Sequence, residues 1–168
     1  MLQSVDSPTT GDAATFGVPR ILLESPSFQL ERLRRRTRDE VEAALAARGT
    51  TMRGYWVLTC LIEGDASSQT SLSDTLAIDA SDMVRLIDGL EEQGWAKRER
   101  DPKDRRRQIV MSTKKGVKAQ AELAELVAAA EATALDESTG KQLKHLRKLT
   151  QAVLVADLEP DPDEVKGA

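Results

Sequence analysis

The clearest apolar pattern in the chain has the spacing of one helix face. Apolar residues stand at i, i+3, i+4 and i+7 in the stripe Met83, Leu86, Ile87 and Leu90. This stripe predicts an amphipathic helix that begins after the N-cap Asp79 and ends at a left-handed Gly94. At 100° per residue, the opposite face carries the polar side chains Ser81, Arg85, Asp88 and Glu92.

Weaker patterns of the same kind predict five further helices. Three helices are predicted upstream. The first begins after the N-cap Ser25 and ends at Gly49, and the second begins after the N-cap Thr50 or Thr51 and ends at Gly64. The third is short and begins after the N-cap Ser68. Pro26 suits the first helical position of the first of them. The two downstream helices run from the cap Thr113 to about Ala134 and from about Ser138 to Ala156.

The helical spacing of the hydrophobic positions ends at Gly94. Residues 95–100 and 107–112 form two short stretches that can be extended, and turn-forming residues separate them at 101–106. This pattern predicts a β-hairpin with an exposed basic tip. A short helix, a four-residue junction, an amphipathic helix and a basic hairpin follow one another in a winged helix-turn-helix. The predicted fold class is therefore mainly α with a small β-hairpin wing, flanked by N- and C-terminal helices.

The chain divides into five predicted segments. They are a flexible N-terminal arm at 1–24, an N-terminal helix at 25–48, the winged helix-turn-helix at 50–113, the C-terminal helices at 114–156 and an acidic, disordered tail at 157–168. Ile21, Leu22 and Leu23 are expected to dock the arm onto the body or onto a second subunit. Helices with broad apolar stripes need a surface to cover them, which favours dimerisation through the flanking helices.

Composition limits the classes of protein and site that the chain can form. Its 168 residues suit one domain, and 40% hydrophobic and 31% charged residues are typical of a soluble protein. The single Cys60 and the single His145 exclude an internal disulfide and a Cys/His metal site. No apolar run approaches the roughly 18 residues that span a bilayer. We expect a cytoplasmic protein that lacks a secretory signal and needs no membrane, metal or cofactor.

Charge is distributed unevenly along the chain. The formal net charge is −4, yet residues 95–118 carry ten basic and three acidic side chains, whereas 64–94 carry seven acidic and one basic. A basic block inside an acidic protein indicates a local binding surface for a polyanion. A solvated charged loop is the alternative interpretation.

Three stretches resemble the MarR family of transcriptional regulators. Residues 83–95, MVRLIDGLEEQGW, are similar to the family's recognition helix and its exit into the wing. Residues 97–107, KRERDPKDRRR, resemble the wing signature, which is an Asp, a short gap and Asp-x-Arg. Residues 110–116, VMSTKKG, resemble the strand end and helix start that leave the wing. The flanking helices match the family's dimerisation region in order and length only.

This resemblance implies a homodimer that binds double-stranded DNA at a pseudo-palindromic operator, usually as a repressor. A small effector, often aromatic and acidic, is the further partner that it implies. In the wing, Arg106 would enter the minor groove, Asp104 would fix its geometry, and the phosphate contacts would be Arg98, Lys103, Arg105 and Arg107. The base-edge candidates are Ala80, Ser81, Asp82 and Arg85 on the recognition helix. Gln69 and Ser71, on the helix before it, are further candidates for phosphate.

Several of these residues have a simpler interpretation. Asp101 and Asp104 can stabilise the turn without contributing to DNA binding. Ser71 can be no more than a polar residue that favours the start of a helix. Tyr55 and Trp56 are candidates for lining an effector pocket, with plain core packing as the alternative. Cys60 is expected to act as a small buried hydrophobe, with redox sensing as the alternative.

The predicted recognition helix is acidic. From Asp79 to Glu92 it carries five acids and one base, and acids near phosphate cost affinity. We therefore expect the wing and dimer avidity to supply most of the binding. The alternative function is a dimeric helical interaction module with weak or lost DNA binding. An enzyme has no support, because the sequence lacks a nucleophile–base pair, a metal cluster and a phosphate loop.

Overall fold

A computed structural model describes residues 17–64, 68–102, 104 and 106–158. Within these ranges the chain forms seven helices and one antiparallel hairpin. The helices are α1 (Arg20–Leu23), α2 (Pro26–Ala46), α3 (Met52–Glu63), α4 (Gln69–Leu76), α5 (Ala80–Glu92), α6 (Lys114–Ala134) and α7 (Gly140–Leu158). The strands are β1 (Ala96–Arg100) and β2 (Gln108–Ser112).

Short polar side chains set the starts of four helices at the predicted positions. The oxygen of each cap accepts a backbone N–H of the first turn: Thr51 from Gly54 at 3.1 Å, Ser68 from Ser71 at 3.0 Å, Asp79 from Ser81 at 2.8 Å and Thr113 from Gly116 at 3.0 Å. Each bond satisfies one of the unpaired N–H groups at a helix start. The chemistry of these caps is local, which is why the sequence reveals them.

Two helix starts and one cap differ from the prediction. Residues 20–23, assigned to the arm, form the single-turn helix α1. Ser25 precedes α2 as predicted, but its hydroxyl contacts Ser27 Oγ at 3.1 Å and caps no backbone group. α7 begins at Gly140, because Thr139 Oγ1 accepts the N–H of Gln142 at 3.3 Å.

The described residues fall into two compact units that divide between Glu131 and Ala132. The core of the first unit is built on the stripe of α5, in which Met83 and Ile87 are fully buried. The side chains packed with this stripe come from α2, α3, α4, β2 and α6: Val41, Leu45, Val57, Leu58, Leu61, Leu72, Val110 and Leu123. Full burial of one such side chain contributes about 1.5–3 kcal/mol. The core therefore fixes which face of α5 points outward.

The second unit contains the end of α6 and α7. Along α7, apolar side chains are exposed, including Leu149 at 62%, Val153 and Leu154. In the first unit, Ile21 of α1 and Leu30 of α2 are exposed in the same way. Both units thus present apolar surface that a single chain leaves in water.

The hairpin is anchored at its base. Its register runs from Ala96 opposite Ser112 to Arg100 opposite Gln108. The Thr113 N–H donates to the Trp95 carbonyl at 2.9 Å, and the Thr113 hydroxyl donates to the Gly94 carbonyl at 2.7 Å. Gly94 has the positive φ of 71° that turns the chain out of α5, as predicted. One threonine therefore ties the start of the wing to the start of α6.

This anchor leaves no room for a side chain at Gly116. A Cβ there would overlap the Trp95 carbonyl oxygen, which belongs to the backbone and cannot turn away. We expect Gly116→Ala to lower the free energy of unfolding by about 1–3 kcal/mol, because the backbone must shift. Chemical denaturation of the purified protein measures the change.

Gly89 supplies the matched control. It lies in the middle of α5, and a Cβ there meets no atom within 4 Å. Gly89→Ala is expected to raise the unfolding free energy by up to about 1 kcal/mol through helix propensity. Equal effects of the two substitutions would contradict the packing of α6 on Trp95.

Candidate nucleic-acid interface

The turn between α4 and α5 holds the two helices of the candidate interface together. Ala77 takes a left-handed conformation, with φ of 49°, and ends α4. The N–H of Ile78 then donates to the Ser73 carbonyl at 3.0 Å, and the Ile78 side chain is buried. A non-glycine residue adopts this φ at some cost, which the burial of Ile78 offsets. The start of α5 is thereby fixed against α4.

The N-terminal half of α5 presents the predicted base-edge candidates to solvent. Ala80 and Ser81 are exposed, and the Arg85 side chain is 77% exposed. The Ser81 hydroxyl donates to an Asp79 carboxylate oxygen at 2.6 Å, so its proton is already committed and its lone pairs remain to accept a hydrogen bond. Asp82 is half-buried beside them.

Hydrogen bonds keep the Asp79 cap ionised. Its pKa is lowered, first by the bond from the Ser81 side chain and then by the bond from the Ser81 backbone N–H. An ionised carboxylate at a helix N-terminus also suits the helix dipole. This acid therefore belongs to the structure of α5 and lies at its very start.

Three other acids of α5 form ion pairs with neighbouring arginines. Asp82 lies 3.3 Å from Arg53 of α3 and 3.1 Å from Arg85, one turn further along α5. Asp88 and Glu91 both bind Arg98 of β1. The structure thus supplies intramolecular counter-ions for three of the five acids that the sequence placed on the recognition helix.

Arg98 has a different environment from the one expected of a phosphate contact. Its side chain is only 18% exposed, and its guanidinium lies 2.6 Å from Asp88. Burial lowers the pKa of this guanidinium, but the hydrogen bonds to Asp88 and Glu91 outweigh it and leave the pKa raised. The sequence reveals the positive charge of Arg98 but not the two carboxylates that the fold brings to it.

The wing turn is held by Asp104. Its carboxylate accepts the backbone N–H of Arg106 at 3.0 Å, and its carbonyl accepts the N–H of Arg107 at 2.9 Å. The Arg107 carbonyl in turn accepts the N–H of Asp101 at 2.9 Å. Arg106 and Arg107 are exposed. Lys103 and Arg105, the other predicted wing contacts, lie outside the described residues.

One cleft lies between the start of α4 and the part of the wing where the turn meets β2. It is lined by Ser68, Gln69, Thr70, Ser71, Asp74, Thr75, Arg107 and Gln108. The structure thereby brings together three predicted phosphate contacts that are distant in sequence: Gln69, Ser71 and Arg107. The Ser71 N–H already donates to its cap, Ser68, which agrees with the helix-start interpretation of Ser71.

The two aromatic candidates for an effector pocket differ in environment. Tyr55 is half-buried and packs against the core, whereas Trp56 is 38% exposed. A groove of about 750 Å³ lies elsewhere, between α1 and α2. Its walls combine apolar and basic side chains, among them Leu23, Phe28, Leu33, Arg32, Arg35 and Arg36. The sequence interpretation missed this groove because it did not predict α1.

Two arginines of α2, Arg34 and Arg35, form ion pairs within their own helix. Arg34 binds Glu31 at 2.8 Å, and Arg35 lies 3.7 Å from Asp39. The hydrogen bond from Arg34 lowers the pKa of Glu31. Exposed pairs of this kind contribute little to stability.

Over the described ranges, no helix is both long and apolar enough to cross a membrane. In the same part of the chain, no three His, Cys, Asp or Glu side chains are grouped so that they could hold a metal ion.

Cys60 is half-buried against the core on α3, and burial raises the pKa of its thiol. Because the thiolate is the reactive form, we expect iodoacetamide to alkylate Cys60 roughly tenfold more slowly than glutathione at pH 8. Mass spectrometry over time measures the rate, and the same reaction in denaturant is the control. Alkylation in the folded protein as fast as in denaturant would contradict this environment and favour redox sensing.

Comparisons with known proteins agree with this architecture. The model of the MarR family matches residues 50–107. A protein of Thauera aromatica, named as a candidate transcriptional regulatory protein for the hcr operon, is 33% identical over 79 residues. The match covers 47% of this chain and 48% of that protein, so the chain spans about half the length of this relative.

Solved structures extend the likeness beyond the matched segment. CouR from Rhodococcus jostii, bound to p-coumaroyl-CoA, is 27% identical with a TM-score of 0.69, over 80% of this chain and 94% of that one. A mutant of MarR from E. coli complexed with operator DNA shares the fold, with a TM-score of 0.67 at 20% identity over 76% of this chain and 92% of that one. The predicted fold, mainly helical with a β-hairpin wing, is confirmed.

Proposed function

We propose, because residues 50–107 match the model of the MarR family of transcriptional regulators, that the chain binds double-stranded DNA as a homodimer at a pseudo-palindromic operator. The N-terminal half of α5 enters the major groove, where Ser81 and Arg85 meet base edges. Arg106, at the wing tip, enters the adjacent minor groove, whose negative potential favours a guanidinium. Arg107, Gln69 and Ser71 contact phosphates.

The observation that carries this proposal is the cleft between the start of α4 and the turn end of β2 in the wing. Residues 68–71 and Arg107 line it together, so the helix-turn-helix and the wing share one surface. A helix in the major groove and a hairpin on the backbone need such a shared surface. The exposed Arg85 lies on α5, the second helix of the helix-turn-helix, and the exposed Arg106 lies next to Arg107 in the wing.

Exposed apolar side chains support the homodimer. Leu149 and Val153 on α7, and Ile21 and Leu30 on α1 and α2, are exposed in one chain. Leu149 and Val153 are four residues apart on one face of α7, and an exposed apolar helix face commonly marks a protein–protein interface. A two-fold dimer buries the same surface twice and sets the spacing of the two half-sites.

Repression with release by an effector completes the proposal. CouR, 27% identical over most of the chain, was solved bound to p-coumaroyl-CoA, which is an aromatic and anionic ligand. A small aromatic, acidic effector would act here by binding one arrangement of the two DNA-binding lobes more tightly than the other. Trp56, which reaches solvent, and its neighbour Tyr55 remain the proposed lining residues.

The acidic character of α5 favoured an interaction module without DNA binding as the alternative. The ion pairs of Asp82, Asp88 and Glu91 weaken that argument, because these carboxylates already face arginines of the same chain. Paired acids repel phosphate less than free ones. DNA binding is therefore the function that the geometry supports best.

Arg106→Ala tests the proposed wing contact. We expect it to weaken binding to a duplex that the wild-type protein selects from a random-sequence pool by about tenfold to a hundredfold. The slope of log affinity against log salt is expected to become shallower by about 2, because each of the two subunits loses one cation that displaces counter-ions from the DNA. Fluorescence anisotropy at several salt concentrations measures both quantities.

Lys141→Ala is the matched control, since Lys141 is exposed on α7, outside the basic segment. It is expected to leave affinity and salt slope unchanged. If the wild-type protein selects no duplex at low salt, or if Arg106→Ala behaves like Lys141→Ala, the proposed function is wrong.

A further inference from the structure

We propose that Arg98 is a positioning residue that ties the wing to the recognition helix and so sets the distance between Arg106 and the base-reading end of α5. This inference rests on the proposed function. It replaces the expected role of Arg98 as a phosphate contact with an intramolecular one.

The contacts of Arg98 reach from Val84 to Glu91 along the middle and end of α5. Its guanidinium lies 2.6 Å from the Asp88 carboxylate, bonds to Glu91 and reaches towards the Val84 carbonyl at 3.4 Å. The backbone N–H of Arg98 donates to the other oxygen of Glu91 at 2.6 Å. Glu91 therefore holds both the main chain and the side chain of one wing residue.

Arg98 lies where its contacts with Asp88 and Glu91 can hold the wing against α5. It is the middle residue of β1 and lies opposite Val110 in the hairpin. Its side chain is mostly buried, unlike those of its strand neighbours Lys97 and Glu99. A charged side chain that leaves water in this way needs bonded partners, and two carboxylates supply them.

Apolar packing holds the inner part of the hairpin, because Ala96 of β1 and Val110 of β2 are buried in the core. Strand pairing joins β1 only to β2, and the two hydrogen bonds of Thr113 hold the base of the hairpin. Between Arg98 and Val110, the described residues of the hairpin are exposed or half-buried, so apolar packing constrains its outer part less. The Arg98 contacts act at the middle of β1 and bind it to the middle and end of α5.

The two interpretations of Arg98 predict opposite effects of removing its acidic partners. If Arg98 contacts phosphate, neutralising Asp88 and Glu91 frees its charge and removes two negative charges near DNA, so that affinity rises. If Arg98 is a tie, the same change loosens the wing, and affinity falls. Misplacement of a supporting contact weakens a site without removing any group that touches the ligand.

The experiment compares the double variant Asp88→Asn, Glu91→Gln with the control Glu92→Gln, which removes one charge from an exposed position of the same helix. The probe is the duplex selected by the wild-type protein. We expect the double variant to bind at least about fivefold more weakly than the control, with the salt slope of the wild type. Binding by the double variant that is equal to or stronger than that of the control overturns the proposal.

Arg98→Lys provides a second variant that keeps the charge. A lysine can serve a phosphate, but it cannot bond two carboxylates in the fork geometry of a guanidinium. We expect about fivefold weaker binding with an unchanged salt slope. Wild-type affinity for Arg98→Lys would contradict a tie.

Hydrogen exchange of the Arg98 backbone amide, followed by NMR without DNA, gives a readout independent of binding. Faster exchange in the double variant than in Glu92→Gln is expected, and equal exchange would count against the tie. Because the wild-type protein must first select a duplex, failure of the proposed function is seen before these variants are compared.

Discussion

The burial of one apolar stripe determines what the rest of the molecule can present. Met83 and Ile87 are fully buried against α2, α3 and β2, and Leu90 follows them into the core. Because a helix turns by 100° per residue, burial of this stripe fixes Ser81 and Arg85 on the opposite face. Rotation of α5 would expose several of the best-packed side chains of the first unit. The direction in which α5 faces is thus a consequence of hydrophobic packing.

Ion pairs then make the outward face of α5 compatible with the proposed binding of DNA. A recognition helix with five acids is unsuited to DNA only if the acids are free. Here Asp79 serves as the cap, Asp82 pairs with Arg53 and Arg85, and Arg98 neutralises two more. The same pairs join α5 to α3 and to the wing. The acids that weaken simple electrostatic attraction therefore stabilise the arrangement of the surface.

Sequence alone predicted those features whose causes are local. The caps Thr51, Ser68, Asp79 and Thr113 each bond a backbone N–H within three residues, and the hairpin follows from turn formers between two extended stretches. The environment of Arg98 was not predictable in this way. Its partners lie seven and ten residues earlier, on another element, and only the packing of β1 on α5 brings them together.

Two further features escaped prediction for related reasons. α1 is a single turn whose exposed Ile21 and half-buried Leu23 give no periodic signal. Ala77 takes the left-handed conformation that a sequence argument reserves for glycine. Where the structure brings distant residues together, as in the cleft of Ser68 and Arg107, the resemblance to a family suggested the roles, and the coordinates supplied the proximity.

The central claim is that the outward face of α5 and the wing form one DNA-binding surface. Hydrogen exchange by mass spectrometry, with and without the selected duplex, tests it directly. We expect DNA to slow exchange in peptides covering residues 80–85 and 104–107 together, while peptides of α7 that include Leu149 stay unchanged. Protection of only one of the two segments, or protection confined to α7, would contradict the account.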